Sequence, residues 1–215
     1  MRLAFTIFLL VTFTTTFQVG LGKAQVPVPV SYLDSLKWRQ LAAEAGNVTA
    51  QFQLGQILDL GLTAEPNQKE AANWYTKAAE QGHVEAQIRL AQMYYSGEGI
   101  ARDLTQSSKW YGTAAKAGIP LAQFNFAVML EAGAGVERNL SEAAEFYEKA
   151  ARSGLGEAQI SLAMLYARGG GVELDLSKAL IWLEMAIAGG ASVPKPVYEL
   201  LRSNSAPKQS NRVKN

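Results

Sequence analysis

The sequence predicts an all-α protein: an α-solenoid of stacked antiparallel helix pairs, about ten helices in total. Tryptophan gives the first sign. Trp38, Trp74, Trp110 and Trp182 are separated by multiples of 36 residues, and Phe146 fills the one gap. Glycine keeps the same interval at Gly46, Gly82, Gly118, Gly154 and Gly190. So does the pair Ala-Gln, at Ala50/Gln51, Ala86/Gln87, Ala122/Gln123 and Ala158/Gln159. A fixed period of this size arises when one supersecondary unit, unable to cover its own apolar face, is stacked on copies of itself.

Residues 1–24 read as an export signal. Arg2 is the basic start, Leu3 to Phe17 the apolar run, and Gly22-Lys23-Ala24 puts small residues at the two positions a signal peptidase reads. The alternative is a retained anchor, since Leu3 to Leu21 approaches the length of a membrane span. The chain has no cysteine, which excludes a lipid anchor and leaves an exported chain to rely on packing without disulfides. Residues 25–30 contain Val26-Pro27-Val28-Pro29-Val30, whose alternating prolines favour an extended spacer.

The solenoid covers residues 31–203. It opens on a half repeat at 31–46, the second helix of a unit that lacks its first. Complete repeats follow at 47–82, 83–118, 119–154 and 155–190. A cap helix at 191–203 closes the stack, with Glu199 and Arg202 where the preceding unit has Ala163 and Tyr166. Residues 204–215 are polar, basic and unpatterned, and read as a disordered tail.

Within a unit, the first helix carries small or apolar residues at helical spacing, as in Ala86, Leu90, Ala91 and Tyr94. Gly97 ends that helix and Gly99 permits an unusual turn after it, with Gly133/Gly135 and Gly169/Gly171 one and two periods on. The first unit keeps Gly61 but has Thr63 in the second glycine column. The second helix opens on a cap, the column Asn67, Asp103, Asn139 and Asp175. Glu70, Gln106 and Glu142 follow three of these at capping-box distance. Trp110, Ala114 and Ala115 then face inward, and truncating Trp110 to alanine is expected to cost ~3–5 kcal/mol.

The run from Ala86 to Asp103, Ala-x-x-x-Leu-Ala-x-x-Tyr-x-x-Gly-x-Gly-Ile-x-x-Asp, resembles the Sel1-like repeat (SLR) family, as does Lys109-Trp110-Tyr111-x-x-Ala114-Ala115-x-x-Gly118. The likeness runs over residues 31–203, with Ser107, Ser108 and Leu183 as departures that leave the fold intact. It implies a right-handed superhelix, related to tetratricopeptide arrays, that binds proteins or peptides. Exported bacterial members of that family act as periplasmic scaffolds or regulators, others are secreted to contact host cells, and eukaryotic relatives are luminal adaptors. The cysteine-rich branch proposed as β-lactamases has paired cysteines that this chain lacks.

Composition narrows the chemistry. With 48% hydrophobic and 18% charged residues, the chain has material for one packed domain and is neither disordered nor multi-span. Leaving out the signal and the three bases of the tail, 15 basic side chains face 19 acidic ones, a sign that disfavours nucleic acid. His83 is the sole histidine and starts a helix, where an exposed polar residue is ordinary; as a general base it would need a nucleophile and an orienting carboxylate. One histidine and no cysteine leave no recognisable zinc or copper site, and no cofactor is expected. Gly97-Glu98-Gly99 and Gly169-Gly170-Gly171 follow helices and lack the lysine and hydroxyl of a phosphate loop. Glu142, Glu145 and Glu148, with Lys149 and Arg152, read as a solvated helix face.

The candidate site is therefore the groove. If the pairs stack as in tetratricopeptide arrays, first helices line the concave side. Four columns then face it. The first is Phe52, Ile88, Phe124 and Ile160, and the second Gln56, Gln92, Val128 and Met164. The third is Asp59, Tyr95, Glu131 and Ala167, and the fourth Leu60, Ser96, Ala132 and Arg168. An apolar row beside glutamine, tyrosine and acids suits an extended or helical peptide. The alternative for the Phe/Ile column is ordinary packing between units, because it recurs in each of them. The expected function is that of an exported, non-enzymatic scaffold or regulator in a bacterial periplasm, binding a protein or peptide partner in that groove. A secreted factor acting on a host surface and a hydrolase built on His83 are the alternatives. Neither a nucleic-acid partner nor stable membrane insertion after signal removal is expected.

Overall fold

The structure, a computed structural model, describes residues 32–62 and 64–205; the signal, the spacer and residues 206–215 of the expected tail lie outside them. Among the described residues there are ten α-helices and no strand. The half unit is α1 (Tyr32–Glu44). The four pairs are α2 (Val48–Leu60) with α3 (Gln68–Glu80), α4 (Val84–Ser96) with α5 (Leu104–Lys116), α6 (Pro120–Ala132) with α7 (Leu140–Arg152), and α8 (Gly156–Arg168) with α9 (Leu176–Ala188). The cap is α10, Lys195–Ser205, later than the expected 191–203. Pro194 precedes it and Pro196 occupies its first turn, where a missing N–H costs no helical bond. Asn204 and Ser205 thus belong to a helix and not to the tail. Helices that follow one another in the chain make all the extensive contacts, the arrangement of a solenoid.

Three devices recur at the junctions. The first is the alanine column: Ala71, Ala78, Ala86, Ala91, Ala114, Ala122, Ala143, Ala150 and Ala158 are fully buried, so helix backbones approach closely. The second is the glutamine beside it. The side-chain amides of Gln51, Gln87, Gln123 and Gln159 donate across the junction to the carbonyls of Ala43, Ala79, Ala115 and Ala151 at 3.1, 3.1, 3.3 and 3.1 Å. Each of these carbonyls lies in the last turn of the preceding helix, which has no intrahelical donor for it. The glycine five residues before each glutamine, φ near +90°, also donates its N–H to that alanine (Gly82 to Ala79, 3.0 Å).

The third device is the loop inside each pair. Gly135 sits at φ +70°, and a Cβ placed there would lie 2.0 Å from the Leu104 carbonyl oxygen, at the start of α5 in the preceding unit. Gly99 against Gln68 and Gly171 against Leu140 repeat the approach. The second glycine column therefore lets one unit's loop lie on the backbone of the unit before. The two serines that break the small apolar pattern both donate: Ser107 to the Ala91 carbonyl within its own pair at 2.8 Å, and Ser108 across the junction to the Gly135 carbonyl at 3.3 Å.

The deepest aromatic residues are not the tryptophans. Tyr75 and Tyr147 are each 2% exposed, whereas Trp110 and Trp182 are only partly buried on the flank of the same core. Truncation of Trp110 therefore removes less buried area than the sequence alone suggests, and the larger loss belongs to Tyr147. Gly55 and Gly112 make room for aromatic rings inside helices: a Cβ at Gly55 would meet the Tyr75 ring at 2.7 Å, and one at Gly112 the Phe126 ring at 3.0 Å. Burial pushes the Tyr111 phenol up to about 12. The phenols of Tyr75 and Tyr147 are raised as well, by burial first and then by the carboxylates of Asp59 and Glu131 beside them.

Two consequences of this packing are measurable. Gly118 has φ +88° and open space around its absent side chain, so Gly118→Ala should cost only the left-handed backbone penalty of ~1–2 kcal/mol. Gly135→Ala adds a collision with backbone and should destabilise the chain much more; paired urea titrations read the difference. The second concerns alkali. A phenol raised in the folded state stabilises the fold fully below the unfolded value of about 10, and that contribution is lost as pH rises through the folded value. Stability should fall from about pH 10 upward, and phenolate absorbance of Tyr75, Tyr111 and Tyr147 should appear only together with loss of helical dichroism.

Candidate functional site

The first helices α2, α4, α6 and α8 are set by the junctions just described and carry the four candidate columns. Phe52, Ile88, Phe124 and Ile160 are all half-buried and pack between units. The Phe52 ring stacks on His83 with centroids 4.3 Å apart and tilts against Tyr75 at 5.9 Å; Phe124 tilts in the same way against Tyr147 at 5.7 Å. Ile88 is packed against the central core that contains Tyr111 and Ala122. Ile160 is packed against the C-terminal core of Ala163, Ala179, Leu183 and Leu201. Phe52, Ile88, Phe124 and Ile160 thus make the contacts of the packing alternative while each keeps part of its surface open. The reason is geometric: each side chain falls at the seam where one unit's first helix meets its neighbours, so stacking covers part of it.

The next column is the open one. Gln56 is exposed, Gln92 half-buried, Val128 40% exposed and Met164 38% exposed. Neither glutamine amide has a hydrogen-bond partner among the described residues. Tyr95, one turn along α4, is 50% exposed, and the Arg102 guanidinium lies 6.0 Å from its ring centre. The same Arg102 donates to the Tyr95 carbonyl at 3.0 Å, which holds the loop against the helix end.

The charged members of the remaining columns are tied to one another. Asp59 is 9% exposed and accepts the Tyr75 hydroxyl at 3.2 Å. It also accepts a two-pronged bond from Arg89 on the next unit, at 2.7 and 2.9 Å. Arg89 reaches Glu98 at 3.0 Å as well, and its hydrogen bonds to Asp59 first of all hold it more firmly protonated than usual. Two units on, Glu131 accepts the Tyr147 hydroxyl at 2.8 Å and is bridged by Arg168 from the following unit. Asp59, Glu131 and Arg168 thus serve as ties between neighbouring units. Tyr75, Arg89, Glu98 and Tyr147 complete those ties and escaped the sequence reading. Its available signal was an acid and a base about one period apart, 37 residues for Glu131 and Arg168.

Other chemistry is sparse. The His83 Nδ1 accepts the Ala86 N–H at 3.4 Å as a helix cap and lies 3.2 Å from Glu85, two contacts that need opposite protonation of that nitrogen. With its ring also stacked on Phe52, His83 is held as a structural group. Glu145, Glu148, Lys149 and Arg152 line a shallow depression on α7, where Arg152 bridges Glu148 at 2.6 Å. No group of three potential metal-ligating side chains occurs among the described residues. No helix among them is long and apolar enough to cross a membrane.

Comparison with known proteins places this arrangement. The Sel1 repeat model matches residues 18–47, 48–83, 84–119, 120–155 and 156–190. The chain is similar to a Sel1 repeat protein of Oxalobacter formigenes, at 27% identity over 81% of each chain and a TM-score of 0.64, the same stacked fold. It is also similar to a protective antigen of uropathogenic Escherichia coli displaying an SLR fold, at 28% identity over 83% of this chain and 49% of that one, TM-score 0.44. Helicobacter pylori cysteine rich protein B is similar at 21% identity over 60% of this chain and 96% of that one, TM-score 0.43. Among curated proteins there is no match. Sel1 repeat proteins are typically protein-interaction scaffolds and generally non-catalytic. With the match running through five consecutive repeats, the chain belongs to the Sel1 repeat family.

Proposed function

We propose that this protein is an exported scaffold or regulator that docks a partner protein or peptide on the concave face of its first helices, in a bacterial periplasm. One observation carries the reading: Tyr95, Val128 and Met164 stand 50%, 40% and 38% exposed on successive first helices, in a family whose repeats mediate protein contacts. Exposed aromatic and apolar side chains aligned on a rigid surface are what interface anchors require. Phe52, Ile88, Phe124 and Ile160 add rigidity from beneath, because they are held in the core. Export is supported by the basic start at Arg2, the apolar run from Leu3 and the small residues of Gly22-Lys23-Ala24. No enzymatic step is assigned, since the sole histidine is occupied as a cap.

The test combines location and face. An epitope-tagged chain expressed in its own host should fractionate with the periplasm and should lose the residues up to Ala24, read by mass spectrometry of its N-terminus. Crosslinking in intact cells should then capture a defined partner, and Val128→Lys with Met164→Lys should reduce that capture by about tenfold, the loss of a central anchor pair. Both positions are exposed, so melting by circular dichroism should be unchanged. Release into the medium with host-cell proteins as crosslinked partners, or capture indifferent to both substitutions, would overturn the reading.

A further inference from the structure

Resting on that docking face, we propose further that the groove is graded along the stack: its C-terminal half receives an uncharged, apolar segment of the partner polypeptide. The central column continues beyond the four pairs, because Leu200 on α10 stands one period after Met164. Read along the stack, the column is Gln56, Gln92, Val128, Met164 and Leu200, amides first and then three hydrophobic side chains. Leu200 is 62% exposed, the most open of the three. Neighbours in the same half keep the apolar character: Ala132 and Ala167 flank Val128 and Met164 one turn on.

Charge supplies the second argument. In the central and last turns of α2, α4, α6 and α8 the ionic groups are Asp59, Arg89, Glu131 and Arg168, and each is bridged to another of the four, while on α10 Glu199 and Arg202 lie beside Leu200. Glu85 and Glu157 lie in the first turns of α4 and α8, away from the column. Among the four bridged groups, a charged ligand would have to displace an existing bridge to find a counter-charge, leaving the displaced partner unpaired, a costly exchange. An uncharged segment leaves the bridges intact and covers exposed hydrophobic surface, which is favourable. The amides of Gln56 and Gln92 at the other end offer donors and acceptors that suit the ligand's backbone.

The experiment uses the full chain and a displayed library of random twelve-residue peptides. Enriched peptides should be depleted in Asp, Glu, Lys and Arg and rich in aliphatic residues. The leading peptide, labelled and followed by anisotropy, should bind about tenfold or more weakly to Met164→Lys and to Leu200→Glu, and unchanged to Ile181→Glu. Ile181→Glu is the control for the exposed apolar side chains of α9. Enrichment of acidic or basic peptides that still depend on Met164 would overturn this inference and leave the docking face standing. Apolar peptides that ignore Met164 and Leu200 but respond to Ile181 would overturn the docking face itself. A library from which nothing is enriched also counts against the inference.

Discussion

A glutamine amide buried among alanines holds each pair of helices to the helix before it, and most of the architecture depends on that contact. The carbonyl it reaches, Ala79 for Gln87, is in a last helical turn and has the Gly82 N–H as its local donor. The glutamine adds a second donor to that oxygen, one that arrives with the next helix. It can arrive only if the turn between them is short and the helices touch, which a glycine with positive φ and a column of alanines provide. Repeating this at four junctions explains why Ala, Gln and Gly recur at one interval. The third junction is the least complete: the Gln123 Oε1 is buried without a partner, whereas Gln81 reaches the matching oxygen of Gln51 at 2.7 Å.

The same geometry sorts the charges. Second helices show solvent a mixed ionic face, as on α7, where lysine, arginine and glutamates sit side by side. Beyond their first turns, first helices carry few ions, and these are consumed in ties that cross from one unit to the next. What remains open there is amide, phenol and hydrocarbon. A surface with its ionic groups already neutralised selects partners by shape and burial, with little long-range steering. That character follows from residues whose first task is to hold the stack together.

The fold was legible because its determinants are periodic. Trp38, Trp74 and Trp110 announced the interval, and the cap column Asn67, Asp103, Asn139 and Asp175 marked the second helices, where side-chain oxygens accept backbone N–H groups as expected. Tryptophan was a good ruler and a poor gauge of depth, since its rarity makes it visible while burial depends on where the ring falls relative to the next helix. Contacts between units were harder to read. Gly135 looks like a turn residue in sequence, and only the stacking shows the backbone of α5 against it. Asp59 and Glu131 looked like groove acids because their column faces outward, but arginines one unit on reach back to cover them. Ile88 and Ile160 looked like groove anchors for the same reason, yet their own recurrence with Phe52 and Phe124 was the sign of a packing position. At the end of the chain, Pro194 and Pro196 delayed the cap helix, and a polar pattern hid two more helical residues.

A repeat protein contains its own comparison. Positions that serve stacking are the same in each unit, so a position that changes from unit to unit answers to something else. Ala86, Ala122 and Ala158 do not vary, nor do the glutamines beside them. The column from Gln56 to Leu200 changes character midway, although every member occupies an equivalent place on its helix. Packing cannot require that change, since Gln56 and Met164 are both substantially exposed. On α9, Ile181 and Met185 stand where α7 has Glu145 and Lys149, again exposed and again without a packing demand. The α9 substitutions belong to the last unit alone, next to the cap, and no other helix continues them. The groove column runs through α6, α8 and the cap α10 and passes the Glu131–Arg168 bridge, which gives it the extent and the chemistry for a chain-like ligand.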